Sequence, residues 1–198
     1  VGEKKIADAW NRAVDAIRQP GSSIKPLAVY AQALERGLVN TATIIEDLPV
    51  TYNNGKPYPL NDTRTYSSKR SIWYGLVYSV NAVSLNTLEK VGLSNSFDFT
   101  KNQLGLGTLV ESITNSAGVS FSDIGYAPLG MGAFTYGVTV RDMSSAYATF
   151  ANNGTYREGR TYLAVLDDQG RKVLDNQQDS RKLFSEKTIN YINLCMTD

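Results

Sequence analysis

The chain has 198 residues, 42% of them hydrophobic and 20% charged, and its twenty basic and nineteen acidic side chains leave a net charge of +1. That balance fits one folded domain with a sizeable core and gives no basic footprint for nucleic acid. There is no histidine, which excludes a Ser-His-Asp triad and His-dependent zinc sites, and the single Cys195 can form no internal disulfide.

Ile6 to Ile17 places Ala9, Trp10, Ala13, Ala16 and Ile17 at three- and four-residue spacing, which predicts a short amphipathic helical segment. Pro20-Gly21 is a turn signal. Ser22 or Ser23 is then a good N-cap for a helix carrying Ile24, Leu27, Ala28, Ala31 and Leu34, which Gly37 closes. Pro26 is tolerable because it falls in the first turn. Thr51 to Tyr66 is dense in Pro, Gly, Asn and Asp and predicts an ordered loop, with Tyr52, Tyr58 and Tyr66 pinning it to the body. Ile72 to Tyr78 is helical, breaks at Ser79-Val80-Asn81, and resumes from Ala82 to Val91 before Gly92. A hydroxyl and an amide at such a join can cap helices or converge on a neighbouring site.

From Leu93 to Tyr136 short helical pieces are separated by glycines, without clear boundaries. Thr139-Val140-Arg141-Asp142 is a capping-box pattern before the helix of Met143, Ala146, Tyr147 and Phe150, which Asn153-Gly154 ends. Tyr162 to Leu166 and Arg171 to Leu174 read as a β-hairpin, and Ile189, Ile192 and Met196 mark a last helix. Cys195 beside that stripe reads as a small buried hydrophobe. The longest apolar runs fall far short of the roughly 20 residues that span a bilayer. No signal peptide is present; the chain opens at Val1 in mid-pattern, so any export or anchoring segment is expected upstream.

The chemistry concentrates at Ser22 and Lys25, three residues apart and so on one helical face with Cβ atoms about 5–6 Å apart. Ser23 is rotated from that face by about 100°. Without histidine an activated serine needs another base, and a lysine serves if burial or a neighbouring cation keeps it neutral. The start of a helix adds free N–H groups that can polarise an oxyanion. A single S-x-x-K is weak evidence, since a chain this long contains on the order of one by chance.

Three separated patterns agree, however. Arg18-Gln19-Pro20-Gly21-Ser22-Ser23-Ile24-Lys25-Pro26, Ser79-Val80-Asn81 after a helix, and Gly137-Val138-Thr139 before the Met143 helix together resemble a penicillin-binding protein transpeptidase domain. Asn11-Arg12-Ala13 leading to Arg18-Gln19-Pro20-Gly21, and Tyr147-Ala148-Thr149-Phe150-Ala151-Asn152-Asn153-Gly154, are similar to the class A, bifunctional peptidoglycan synthases. The resemblance implies an α/β layered fold, an antiparallel sheet flanked by helices, of which this chain holds mainly the helical part. It implies Ser22 as the acylated nucleophile, Lys25 as its base, Ser79 as the hydroxyl relaying a proton to the leaving amine, and Asn81 as the amide holding the substrate's peptide carbonyl. The implied reaction cross-links peptidoglycan stem peptides ending in D-Ala-D-Ala, with β-lactams as mimics, outside the plasma membrane and without metal or cofactor. A β-lactam sensor, a non-catalytic wall-binding module and a D,D-carboxypeptidase are the alternatives within the same fold.

One departure from the family pattern stands out. No Lys-Thr-Gly occurs; Lys187-Thr188-Ile189 lacks the glycine and lies in a predicted helix. Residues 1–198 are therefore expected to be part of one transpeptidase domain, truncated at both ends, with its third motif on a segment outside them. Alone, they are expected to react poorly with β-lactams.

Overall fold

The computed structural model describes residues 10–197. At the centre lies one helical element that changes pitch as it runs. It opens as a 3-10 turn over Gly21–Ile24, widens to a π-type turn over Pro26–Tyr30, and ends as α1, Ala31–Glu35. Every residue from Ile24 to Leu34 is buried. Widening disturbs the helical ladder, and buried polar side chains serve its carbonyls: Ala28 O accepts from Gln32 Nε2 at 2.9 Å and from Ser96 Oγ at 2.7 Å.

Around this axis pack α2 (Ile72–Val77), α3 (Asn81–Val91), α4 (Leu93–Asp98), α5 (Tyr126–Met131), α6 (Val140–Ala151) and α7 (Glu186–Thr197). Leu27 and Val29 of the axis share one core with Val83 and Leu88 of α3, Leu129 of α5, Phe150 of α6 and Ile192 of α7. Each such side chain contributes roughly 1.5–3 kcal/mol by leaving water. Side chains cap two helix starts: Thr139 Oγ1 accepts from Asp142 N at α6, where the sequence shows a capping-box pattern, and Ser71 Oγ accepts from Tyr74 N at α2. Ser185 Oγ accepts from Thr188 N at the start of α7, and the Glu35 carboxylate takes the Ser185 N–H and hydroxyl; burial pushes that carboxyl up, but Thr188 and Ser185 together outweigh it and hold it below its ordinary range.

Among the described residues the strands form six two-stranded antiparallel ladders. Ile44–Asp47 pairs with Ser68–Ser71, and Ala164–Leu166 pairs with Lys172–Asp175 as the predicted hairpin. Among the described residues no helix is long and apolar enough to cross a membrane.

Several expectations are corrected. Residues 6–9 of the predicted first helix lie outside the described residues, and the rest is not helical. Asn11 and Asp15 close a single turn through Asp15 N–H to Asn11 O at 2.8 Å and Asn11 N–H to Asp15 Oδ2 at 2.7 Å, after which Ile17–Arg18 pairs as a strand with Val138–Thr139. The Thr51 to Tyr66 loop contains a small ladder, Thr51–Asn53 with Lys56–Tyr58; the Tyr66 hydroxyl donates to Pro59 O at 2.7 Å within the loop itself, and Tyr52 is 64% exposed, so neither bond nor burial at these two pins the loop to the body as expected. The glycine-punctuated stretch includes a further strand pair, Ile113–Thr114 with Ser120–Phe121. Neither Ser22 nor Ser23 is an N-cap: Pro20 holds that position without a side-chain bond, and Ser23 Oγ donates to Pro20 O at 2.7 Å.

The segment before Ser22 is stitched to residues 132–139 by backbone pairing and by the Gln19 side chain. The Gln19 carboxamide donates to Phe134 O and accepts from Phe134 N–H, both at 2.7 Å. Gly132, at φ +71°, lies so close to Gly21 that a Cβ there would stand 2.2 Å from Gly21 O and 2.6 Å from Gly21 N. Gly132→Ala is expected to cost about 2–5 kcal/mol, the sum of a left-handed L-residue and an unrelievable overlap. Urea unfolding measures it; an unchanged midpoint would show that the two loops separate freely.

Candidate active site

The α2–α3 join is where the site is assembled. Ile72 to Val77 stops because the chain turns at Ser79, whose φ of 52° is left-handed and breaks the helical run. Val80 N–H returns to Gly75 O at 2.9 Å, and α3 starts at Asn81. Neither Ser79 nor Asn81 caps that helix. Its cap comes from elsewhere: Asn61 Oδ1 accepts from Ala82 N–H at 3.0 Å.

The Asn81 side chain is thereby left for other work. Its Oδ1 accepts from Lys25 Nζ at 2.6 Å, and its Nδ2 donates to Leu60 O at 2.8 Å. Lys25 Nζ also donates to Ser79 O at 2.8 Å and to Ser79 Oγ at 3.1 Å. An ammonium has three donors, and these three acceptors use all of them. All three are uncharged, and the side chain is 1% exposed, so burial lowers the Lys25 pKa from its ordinary value to about 8.

Ser22 lies above this buried amine. It is exposed, no side-chain hydrogen bond joins it to Lys25, and it borders an open cleft of about 470 Å³ whose other walls are Leu60, Asn61, Asp62, Arg64, Tyr78, Ser79 and Asn81. Ser23 is not among those walls. The four residues singled out in the sequence thus meet at one place, three around the cleft and Lys25 beneath it.

Other members of the site had no signal in the sequence. The far wall is the loop after Pro59, held by Asn61, whose Nδ2 donates to the buried Asp47 carboxylate at 2.7 Å and to Thr65 O at 2.9 Å. Asp47 also takes Ser67 N–H at 2.8 Å, so the strand pair Ile44–Asp47 and Ser68–Ser71 is braced to the wall and through it to α3. The contacts that tie this wall to the strand pair and to α3 run across 14 to 21 residues, and no local pattern reports them.

The arrangement provides an exposed hydroxyl, a neighbouring amine held near neutrality, a second hydroxyl bonded to that amine, and an oriented carboxamide. These are the parts of a serine acyl-transfer site. Comparison with known proteins points the same way. Penicillin-binding protein 1A of Clostridium acetobutylicum is 33% identical over 190 residues, 91% of this chain and 22% of that protein. Penicillin-binding protein 1A of Streptococcus pneumoniae is 37% identical over 168 residues, 84% of this chain and 22% of that protein. The chain therefore spans about a fifth of the length of these relatives. The fold is that of penicillin-binding protein 1A from Haemophilus influenzae, with a TM-score of 0.72 and 20% identity over 95% of this chain and 30% of that one. It is likewise that of the PonA1 protein from Mycobacterium tuberculosis, solved with penicillin V, with a TM-score of 0.72 and 21% identity over 96% of this chain and 49% of that one. A family model for the penicillin binding protein transpeptidase domain matches residues 2–198, and with the site assembled as it is, the chain belongs to that family.

Proposed function

We propose that these residues carry out serine acyl transfer in a peptidoglycan D,D-transpeptidase acting outside the plasma membrane, with Ser22 as nucleophile. The observation that carries this is the exposed Ser22 hydroxyl at a cleft it shares with Ser79 and Asn81, the two residues to which the buried, pKa-lowered Lys25 is bonded. The donor is a stem peptide ending in D-Ala-D-Ala. Neutral Lys25 takes the Ser22 proton as Oγ bonds to the penultimate carbonyl carbon. The tetrahedral intermediate collapses with cleavage of the C–N bond. The leaving nitrogen receives the Ser79 proton, which the Lys25 ammonium replaces across their 3.1 Å contact. Asn81, oriented by its bonds to Lys25 and Leu60, holds the peptide carbonyl through the face it turns to the cleft. An amine of a second strand then takes the acyl group from Ser22. A β-lactam enters the first half of this sequence and stays as the ester.

Ser22, and not Ser23, is the residue expected to carry a penicillin adduct, because Ser23 Oγ is turned back onto Pro20 O. Peptide mapping by mass spectrometry reads this directly. An adduct on Ser23, or one that persists in Ser22→Ala, would refute the assignment.

A base with a pKa lowered to about 8 gives a defined pH dependence. Below that pH Lys25 is an ammonium and cannot accept a proton, so acylation should be slow; it should rise through about pH 8 and level off above. Lys25→Arg, which stays charged, should slow acylation by about 10²–10⁴-fold and abolish the rise. Penicillin acylation rates followed from about pH 6 to about pH 10 test both; a flat wild-type profile, or near-normal acylation by the arginine variant, would remove Lys25 from this role.

A further inference from the structure

The turn that presents Ser22 lacks the usual fastenings. No side chain caps it, and its regular bond is Lys25 N–H to Ser22 O, three residues back. The next bond in that register would run from residue 26 N–H to Ser23 O. Pro26 has no N–H to give.

The donor comes from α6 instead. Tyr147 Oη donates to Ser23 O at 2.6 Å, across 124 residues of sequence. Its ring packs edge-on against Phe150, with centroids 5.7 Å apart and planes at 85°, and Phe150 lies in the core. Burial pushes the phenol pKa up to about 12, so the group remains a donor throughout the range in which Lys25 titrates. Tyr147 is not among the walls of the cleft.

We propose that Tyr147 is a positioning residue for acyl transfer: its hydroxyl substitutes for the missing N–H of Pro26, fixing the Ser23 carbonyl and with it the direction of the adjoining Ser22 Oγ. The clamp is completed on the other side of the turn by the two-way amide contact of Gln19 with Phe134. Ser22 is therefore held from before and after, by groups that never touch the substrate. The inference rests on Ser22 being the nucleophile.

The test is saturation kinetics of penicillin acylation on the full-length protein that contains these residues, separating the non-covalent dissociation constant from the rate constant of the covalent step. Tyr147→Phe keeps the ring and its packing and removes only the hydroxyl. The covalent rate constant should fall at least about 5-fold, as expected for one lost hydrogen bond, with the dissociation constant and the pH midpoint near 8 unchanged. Adding Pro26→Ala to Tyr147→Phe restores an N–H that can reach Ser23 O, and should recover part of the rate. Wild-type acylation by Tyr147→Phe, a loss confined to non-covalent binding, or a double variant no faster than Tyr147→Phe would each overturn the proposal. Ser22→Ala run alongside separates the two readings. Labelling that survives it sinks the nucleophile assignment, whereas labelling abolished in Ser22→Ala but normal in Tyr147→Phe sinks only the role of Tyr147.

Discussion

The buried ammonium of Lys25 is the contact on which the arrangement depends. A charge taken out of water costs several kcal/mol unless its donors are met, and here each of the three finds an oxygen from the α2–α3 join. No carboxylate is among these acceptors, so the charge is solvated by dipoles but not neutralised. The amine is therefore satisfied enough to be buried and uncomfortable enough to lose its proton near pH 8. In the proposed function one set of bonds serves architecture and chemistry together, because the nitrogen that locks the helix of Ser22 to the join is also the proposed base.

The rest of the polar framework transmits rigidity toward that nitrogen. Asp47 fixes Asn61, Asn61 caps α3 at Ala82, and Leu60 O fixes the amide of Asn81, whose oxygen then faces Lys25. Orientation of the Asn81 carboxamide follows from its partners, a cation on one side and a carbonyl on the other, which only one placement of O and N satisfies. A strand pair at the edge of the molecule thus helps determine which atom of Asn81 meets the amine.

How much of this was legible in the sequence differs by element. Ser22 and Lys25 stand three residues apart in an apolar helical pattern, so their shared face follows from helix geometry alone. The break at Ser79 to Asn81 was equally plain, because the apolar period lapses there. Which of its polar groups would cap and which would face the site was not, since the cap comes from Asn61, 21 residues earlier. The segment from Trp10 to Ile17 had helical spacing but pairs as a strand at its end, because Val138–Thr139 offers backbone partners that a local pattern does not reveal. Ser22 and Ser23 were good N-cap types, yet the packed glycines and the Gln19 contact hold the turn, leaving one hydroxyl exposed and the other folded back.

The close approach of Gly132 to Gly21 separates two kinds of change that the protein can undergo. Where main chain meets main chain there is no side chain to exchange, so the place of the Ser22 hydroxyl is insulated from drift in the surrounding residues. The walls of the cleft are different: Asp62, Arg64 and Tyr78 project from a loop and a helix end and meet no such constraint. The rim of the cleft can therefore change in shape and charge while Ser22 stays where it is.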